Sequence, residues 1–247
     1  MSEEKSYRKF KRAILKLSGE ALRAKGSRDN ISPEIVGRIA HEICSAREQT
    51  KVEIGVVVGG GNFWRGASAS ARGMDRATAD YVGMMATVMN ALALQSALEA
   101  EGVPCVVQSA IEMKNVAEPF IRRKANRQMS EGKVVIFAAG TGNPFFSTDT
   151  TAALRGSEMG ADVIFKATMV DGVYDCDPKT NESAKRYETV TFRECLHQGL
   201  SVMDATAFSL CLDNDLPIII FDLGEEGNIV KALSGDDIGT IVHGEKN

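Results

Sequence analysis

The loops of this sequence supply three cations and three acids suited to phosphate chemistry. The cations are Lys16, Arg65 and Lys166, and the acids are Asp80, Asp149 and Asp177. Phosphoryl transfer needs alignment and charge neutralisation at the moving group, and it requires neither a covalent nucleophile nor necessarily a protein base. No histidine lies in these loops, so nucleophilic acyl transfer lacks a candidate base. The residue types therefore favour phosphoryl transfer.

The segment from Val134 to Gly160 is the most informative part of the chain. Its apolar run Val134–Ala138 predicts a strand, a glycine-containing loop follows, and a helical pattern begins after Ser147. Glycine amides and hydroxyl groups at a helix N-terminus suit an anion, with phosphate as the first candidate. An ordinary strand-to-helix turn with Thr148 or Asp149 as N-cap would explain this segment equally well.

A lysine near the end of the first predicted strand gives a similar signal. The strand Ala13–Leu17 carries Lys16 and runs into Ser18 and Gly19. An ammonium group and several backbone donors would then meet at one point. Taken alone, the same residues also fit the plain end of a surface strand.

The second predicted strand, Val52–Val58, runs directly into Gly59-Gly60-Gly61. Three consecutive glycines carry an entropic cost, and close approach of a ligand to the backbone explains that cost better than a flexible linker does. Arg65 follows, and its planar guanidinium group can bind phosphate with two donors.

A fourth loop follows the predicted strand Asp162–Ala167, which carries Lys166 near its carboxyl end. The loop contains Thr168, Asp171, Gly172, Tyr174, Asp177 and Pro178. Ligands of open α/β sheets bind outside the carboxyl ends of the strands, so four such loops predict a ligand site at that edge. The chain contains neither GxxxxGK[ST] nor GxGxxG, which disfavours P-loop kinases and Rossmann dehydrogenases.

Helices alternate with strands along the chain. Ser32 and Pro33 predict a helix to about Gln49, and an apolar helix is predicted over Thr78–Ala100. Further helices are predicted at Glu118–Ser130, Phe192–Gln198, Asp204–Asp213 and Glu226–Leu233, further strands at Cys105–Gln108, Leu216–Phe221 and Gly239–Val242, and a loop over 179–190. This alternation of about seven strands with helices predicts one α/β domain with a mainly parallel core over residues 11–247, after a mobile tail of residues 1–10.

Composition argues against several function classes. The chain has 29 basic and 33 acidic side chains and a net charge of −4, so nucleic acid is not expected as the main partner. A short basic cluster, Arg122, Arg123, Lys124 and Arg127, is expected to be a solvated helix face. The five scattered cysteines form no CxxC pair, which argues against a disulfide framework or zinc site and suits a reducing cytosol.

Hydropathy adds two expectations about location and assembly. The first residues are polar and no run of about 18 apolar residues occurs, so we expect a cytoplasmic protein without membrane attachment. The helix over Thr78–Ala100 is apolar nearly all round, which predicts that it is either deeply buried or shared with another subunit. A homo-oligomer is therefore expected.

Six segments resemble the bacterial UMP kinase (uridylate kinase) family of the amino acid kinase superfamily. They are LKLSGEAL at 15–22, VVVGGGNFWRG at 56–66, MMATVMNALAL at 84–94, AAGTGNPFFSTDTTAALRG at 138–156, KATMVDGVYDCDP at 166–178 and VMDATAF at 202–208. KLSGE and GGGN are shared across the superfamily, whereas TGNPFF followed by Ser/Thr, Thr and Asp defines the subgroup. The resemblance implies a three-layer α/β/α sandwich and reversible transfer of the ATP γ-phosphate to UMP, giving UDP and ADP, in pyrimidine nucleotide biosynthesis.

The resemblance also implies roles for individual residues. Those expected to hold ATP are Lys16, Leu17, Ser18, Gly19, Gly61 and Arg65 around the phosphates, and Thr168, Tyr174 and Asp177 at the adenosine end. Those expected to hold UMP are Gly60, Asp80, Thr141, Gly142, Asn143, Pro144, Phe145, Phe146, Ser147 and Thr148, with Asp80 accepting from ribose hydroxyls. The expected catalytic residues are Lys16, Lys166, Arg65 and Asp149, with both lysines beside the moving phosphoryl group and Asp149 as their organiser. Magnesium is expected chiefly on the phosphates of ATP, without a protein-only metal site.

The resemblance further implies a homohexamer and inhibition by UTP at the UMP site. Gln95 and Glu99 stand where relatives with a GTP effector site often carry basic residues, which argues against activation by GTP. Two other interpretations stay open. One is a superfamily kinase acting on a carboxylate or carbamate such as acetylglutamate, which would lack TGNPFF. The other is a non-catalytic nucleotide sensor or oxyanion storage protein, which could lose the paired lysines.

Overall fold

The computed structural model describes residues 10–176, 178, 180–181, 183–200 and 203–244. Within these residues the strands are β1 (Arg12–Leu17), β2 (Glu53–Val58), β3 (Cys105–Ser109), β4 (Glu118–Pro119), β5 (Val134–Ala138), β6 (Val163–Thr168), β7 (Thr189–Thr191), β8 (Ile218–Asp222) and β9 (Thr240–His243). They form one sheet in the order β4-β3-β5-β2-β1-β6-β8-β9-β7. In this part of the chain only β8 and β9 pair antiparallel, so the predicted mainly parallel α/β sheet is confirmed.

Helices cover both faces of this sheet. They are α1 (Pro33–Thr50), α2 (Gly66–Ser70), α3 (Arg76–Ala100), α4 (Arg122–Ser130), α5 (Thr148–Met159), α6 (Phe192–Gln198), α7 (Ala205–Asp213) and α8 (Asn228–Ser234), with a short 3₁₀ turn at Gly19–Leu22. Apolar residues of α1, α3 and α8 pack on one face, and those of α4, α5, α6 and α7 pack on the other. The expected three-layer α/β/α sandwich is therefore confirmed.

The central strand β1 determines which side chains reach the edge of the sheet at the carboxyl ends of the parallel strands. Its alternation places Leu15 and Leu17 in the core beneath α1 and α3, and Ile14 in the core beneath α5. Lys16 shares the face of Ile14 because side chains two residues apart point the same way. In the parallel pairing of β1 with β6, Lys16 stands directly opposite Lys166.

Three details of the predicted elements were wrong. Residues Glu118–Pro119 are not helical: they pair with the end of β3, and the helix begins only at Arg122. Proline disfavours helical backbone at the residue before it, which accounts for the extended conformation of Glu118. The loop predicted over 179–190 also ends in a short strand, β7, which pairs with β9. With β4 and β7, the described sheet has nine strands rather than about seven.

The long helix α3 is only partly buried. Met84, Val88 and Leu94 pack in the core, whereas Tyr81, Val82, Met85 and Met89 are 38–45% exposed. By length and composition α3 also resembles a membrane span, the only such helix among the described residues, yet it packs on the sheet as a core helix. These exposed apolar side chains are compatible with contact between α3 and another subunit, and that contact stays a prediction.

The expected mobile tail lies outside the described residues except for Phe10. The ring of Phe10 packs edge-on against Phe165, with 5.5 Å between ring centroids. The mobility of residues 1–10 and the assignment of residues 11–247 to a single domain stay predictions.

Candidate active site

The N-terminus of α5 lies at the carboxyl end of the central strands. Its N-cap is Ser147, whose hydroxyl accepts hydrogen bonds from the backbone N–H groups of Asp149 at 3.0 Å and Thr150 at 3.1 Å. The interpretation with Thr148 or Asp149 as N-cap is therefore wrong. Because the cap lies earlier, the Asp149 carboxylate is available to other partners.

Asp149 joins the two facing lysines of the central strands. Its Oδ1 lies 2.7 Å from Lys16 Nζ, and its Oδ2 accepts a hydrogen bond from Lys166 Nζ at 2.7 Å. The three side chains are only 10–15% exposed. Two ammonium groups on adjacent strands repel each other, and the carboxylate between them offsets that repulsion. This cluster, Lys16–Asp149–Lys166, confirms that the three residues come together.

The cluster changes the acidity of its members. Burial by itself raises the pKa of Asp149, but the charges of Lys16 and Lys166 outweigh burial and hold that pKa below its ordinary value. Burial lowers the pKa of Lys166, and repulsion from Lys16 adds to that effect, whereas Asp149 opposes it. Asp149 is therefore ionised near neutral pH and is a weak proton acceptor.

The glycine loops are held against each other by backbone packing. A Cβ atom at Gly19 would lie 2.4 Å from the carbonyl oxygen of Gly59, and one at Gly60 would lie 2.7 Å from that of Gly83. Contact between protein elements is therefore one reason for these glycines, and the ligand approach expected at Gly59-Gly60-Gly61 stays a prediction. Asn90 stabilises the arrangement by donating to the Gly59 carbonyl at 2.7 Å.

A wide cleft of about 720 Å³ opens beside the cluster. The predicted residues that line it are Lys16, Ser18, Gly19, Gly60, Gly61, Arg65, Asp80, Phe145, Phe146, Ser147 and Thr148. A smaller recess of about 130 Å³ continues from it past Thr141 and Asn143. Most residues assigned to the phosphates and to UMP therefore share one continuous space.

A second cleft of about 490 Å³ lies on the other side of the cluster. Lys166, Thr168 and Tyr174 line it. The Tyr174 hydroxyl donates to Asp171 at 2.8 Å, and this hydrogen bond raises the pKa of the phenol. Asp177, assigned to the same end, lies outside the described residues. Lys16 thus faces the first cleft and Lys166 the second, with Asp149 between them.

Three of the described residues that were predicted to bind ATP or UMP line none of these spaces. Leu17 is fully buried in the core. Gly142 closes a turn by donating its N–H to the Ala139 carbonyl at 3.0 Å, with a φ of 80°. Pro144 follows in the same loop and lines neither cleft nor the recess.

Two predicted polar residues already have protein partners. Arg65 is 63% exposed and pairs with Glu20, whose Oε1 accepts from Arg65 Nε at 2.8 Å. Asp80 accepts from the backbone N–H of Phe145 at 2.8 Å and from Arg76. A ligand that uses Arg65 or Asp80 must compete with or extend these contacts.

Asp204 is a site residue whose wider role the sequence did not reveal. The sequence predicted only that a helix begins at this residue, and Asp204 is the N-cap of α7, accepting from the N–H groups of Thr206 and Ala207 at 3.1 Å each. It also accepts from Thr150 Oγ1 at 3.0 Å and from the Ser147 hydroxyl. One carboxylate therefore joins the N-termini of α5 and α7, a link that depends on tertiary contacts.

Carboxylates in the described part of the chain do not gather into a metal site. Within those residues, no group of three or more His, Cys, Asp or Glu side chains is placed to hold a metal ion. Both oxygens of Asp149, the carboxylate at the centre, lie against lysines. A magnesium ion would therefore fit here mainly through the phosphate oxygens of a bound nucleotide.

The fold and this lysine–carboxylate centre define the class of protein. The model of the amino acid kinase family matches residues 11–222, and the chain belongs to that family.

Solved structures narrow the similarity further. The chain is similar to UMP kinase from Bacillus anthracis, with 36% identity, coverage of 97% of this chain and 98% of that chain, and a TM-score of 0.92. UMP kinase from Ureaplasma parvum matches with 38% identity, coverage of 96% and 99%, and a TM-score of 0.89. Uridylate kinase from Archaeoglobus fulgidus matches with 31% identity, coverage of 93% and 99%, and a TM-score of 0.70.

Proposed function

We propose that this protein is a UMP kinase that transfers the γ-phosphate of ATP to UMP in pyrimidine nucleotide biosynthesis. The observation that carries the proposal is the Lys16–Asp149–Lys166 cluster between two clefts. A centre that neutralises charge between two nucleotide-sized spaces suits phosphoryl transfer. The similarity to UMP kinase structures, each covered over at least 98% of its length, supports UMP as the acceptor.

The two substrates would approach the cluster from opposite sides. UMP would lie in the wide cleft against Asp80 and Phe145–Thr148. The adenosine of ATP would lie in the second cleft near Thr168 and Tyr174, with its phosphates reaching toward Lys16, Gly61 and Arg65. The γ-phosphate would then meet the acceptor beside the ammonium groups of Lys16 and Lys166, which Asp149 holds together.

The reaction exchanges one phosphorus–oxygen bond for another. An oxygen of the UMP phosphate bonds to the γ-phosphorus of ATP, and the bond from that phosphorus to the β–γ bridging oxygen breaks, leaving UDP and ADP. Lys16 and Lys166 balance the negative charge that shifts during this exchange. Magnesium, bound on the phosphates, would add further positive charge at the same point.

Asp149 acts in this scheme as an organiser. A phosphate monoester has a second pKa of about 6, so UMP is already largely ionised at neutral pH and needs no base. The depressed pKa of Asp149 agrees with this division of roles, because such a carboxylate holds lysines well and takes protons poorly.

Release of ADP from ATP and Mg²⁺ tests the proposal, with UMP, CMP, dUMP, GMP and acetylglutamate offered singly as acceptors. Turnover with UMP and none with acetylglutamate is expected, and Lys166→Met provides the inactive control. Turnover with acetylglutamate alone would instead identify a kinase of carboxylates. Nucleotide binding by the folded protein without turnover of any acceptor would favour the sensor or storage alternative.

We further propose a cytoplasmic homohexamer inhibited by UTP. The exposed stripe of Tyr81, Val82, Met85 and Met89 supports assembly through α3. UTP carries the uridine of the acceptor, so it would compete for the wide cleft. Gln95 donates to Glu99 at 2.9 Å, and this neutral–acidic pair offers no cation for a GTP effector. Light scattering and UTP inhibition at varied UMP would test these points.

A further inference from the structure

Arg76 occupies an unusual place at the edge of the wide cleft. It is the first residue of α3 and lines the cleft together with Asp80, one helical turn further on. Its Nε lies 3.0 Å from Asp80 Oδ1 and 2.9 Å from Asp80 Oδ2. The Asp80 side chain is 13% exposed, whereas that of Arg76 is 44% exposed.

The helix dipole does not favour an arginine at this position. The N-terminus of a helix carries partial positive charge, so a cation in the first turn is unfavourable. The N-cap, Asp75, already satisfies this end by accepting from the N–H of Thr78 at 2.8 Å. The arginine therefore has to be explained by what it contacts.

Those contacts all concern the carboxylate of Asp80 and the loop opposite. Asp80 Oδ2 accepts from both Arg76 and the N–H of Phe145, and Arg76 lies 5.9 Å from the centre of the Phe145 ring. Phe145 has a φ of 72°, which is costly for a phenylalanine and is held in place by this hydrogen bond. Gly66 packs against the Asp80 carboxylate, since a Cβ atom at Gly66 would lie 2.5 Å from Asp80 Oδ1.

We propose that Arg76 is a positioning residue that fixes the Asp80 carboxylate for recognition of the acceptor's ribose. A carboxylate offers about four acceptor positions. Arg76 and Phe145 occupy positions on the protein side and so set the direction of the remaining ones, which face the cleft. The inference rests on the proposed function, because it takes the acceptor to be a ribonucleotide that Asp80 contacts.

Arg76→Gln tests the inference through three kinetic comparisons. Without the ion pair, Asp80 turns more freely, and we expect the UMP concentration for half-maximal turnover to rise about fivefold, as for a well-oriented pair near the surface. The ATP requirement should stay within about twofold of wild type. The preference for UMP over dUMP should fall at least about threefold, because dUMP lacks a hydroxyl that Asp80 would accept from.

Arg76→Lys and Arg127→Gln complete the experiment. Lysine keeps the charge, so Arg76→Lys should recover part of the UMP affinity and of the UMP preference. Arg127 forms a similar i,i+4 pair with Glu131 at 3.6 Å on α4, and Arg127→Gln should change neither requirement. Thermal unfolding midpoints show whether each variant is folded.

The outcomes separate the inference from the proposed function. Wild-type protein without UMP turnover would overturn both. Wild-type turnover with an equal rise of the UMP and ATP requirements in Arg76→Gln, or with an unchanged UMP-to-dUMP preference, would overturn only the role of Arg76. If Arg76→Gln does not fold, Arg76→Lys decides. A raised UMP requirement with a reduced preference for UMP over dUMP supports the inference, and wild-type values of both overturn it.

Discussion

Replacing Asp149 by asparagine removes one charge from the centre while preserving its shape. The two lysines then face each other on adjacent strands without the carboxylate that contacts each of them at 2.7 Å. We expect Asp149→Asn to lose most of its turnover, because Lys16 and Lys166 no longer hold fixed positions at the moving phosphate.

The cost to stability can be worked from the burial of the cluster. Removing one partner of a buried ion pair costs about 3–5 kcal/mol, because a charge is left uncompensated. The side chains are 10–15% exposed, so some solvent screening reduces this figure, and we expect a loss of about 3 kcal/mol at pH 7. Removing the negative charge between the two ammonium groups should also favour an anion there, so ATP without magnesium should bind more tightly to the variant than to wild type.

Urea unfolding at two pH values and ATP titration form the assay. Because the folded pKa of Asp149 is lowered, its stabilisation is present above the unfolded value of 3.8 and is lost as the pH falls through the folded value. The difference between wild type and Asp149→Asn should therefore shrink between pH 7 and about pH 3. Equal stability of the two proteins at pH 7, or weaker ATP binding by the variant, would refute this reasoning.

Four further predictions concern single residues. Lys166→Met should lower turnover at least about a hundredfold with little change in the urea midpoint, and near-normal turnover would disprove its catalytic role. The turnover number should fall at alkaline pH with an apparent pKa below the ordinary lysine value of 10.5, since burial lowers the pKa of Lys166 and only its protonated form neutralises charge. Asp80→Ala should raise the UMP requirement more than the ATP requirement in steady-state kinetics. Asn90→Ala should cost about 2–3 kcal/mol in urea unfolding by leaving the Gly59 carbonyl unpaired, whereas Gln95→Ala, which removes an exposed hydrogen bond to Glu99, should cost little.

The strands that end at the candidate active site were predictable because each is a continuous apolar run in the sequence. The apolar runs ending near Lys16, Val58, Ala138 and Lys166 each became a parallel strand within a residue or so of the expected bounds. Short apolar runs that end at glycine or polar residues are typical of buried parallel strands. The gathering of four loops at one edge followed from the parallel arrangement.

Contacts between distant elements were not predictable in the same way. No local pattern places Lys16 opposite Lys166, because strand order and register depend on how the whole sheet packs. The same limit applies to Asp204, whose link to Ser147 and Thr150 spans more than 50 residues. The packing roles of Gly19 and Gly60 were missed for a related reason, since both glycines contact backbone that is remote in sequence.

The in-register pairing of Lys16 with Lys166 also sets when the centre can exist during protein synthesis. The strand β1, which carries Lys16, is synthesised before β6, which carries Lys166. The two lysines are 150 residues apart in the chain (166 − 16). At ribosomal rates of about 5–20 residues per second, that interval is on the order of 10 s. Throughout it, one edge of β1 has no β6 to pair with, and an apolar strand with a free edge invites contact with other nascent chains. The middle strand of this sheet is therefore the segment we expect chaperones to shield until β6 has emerged.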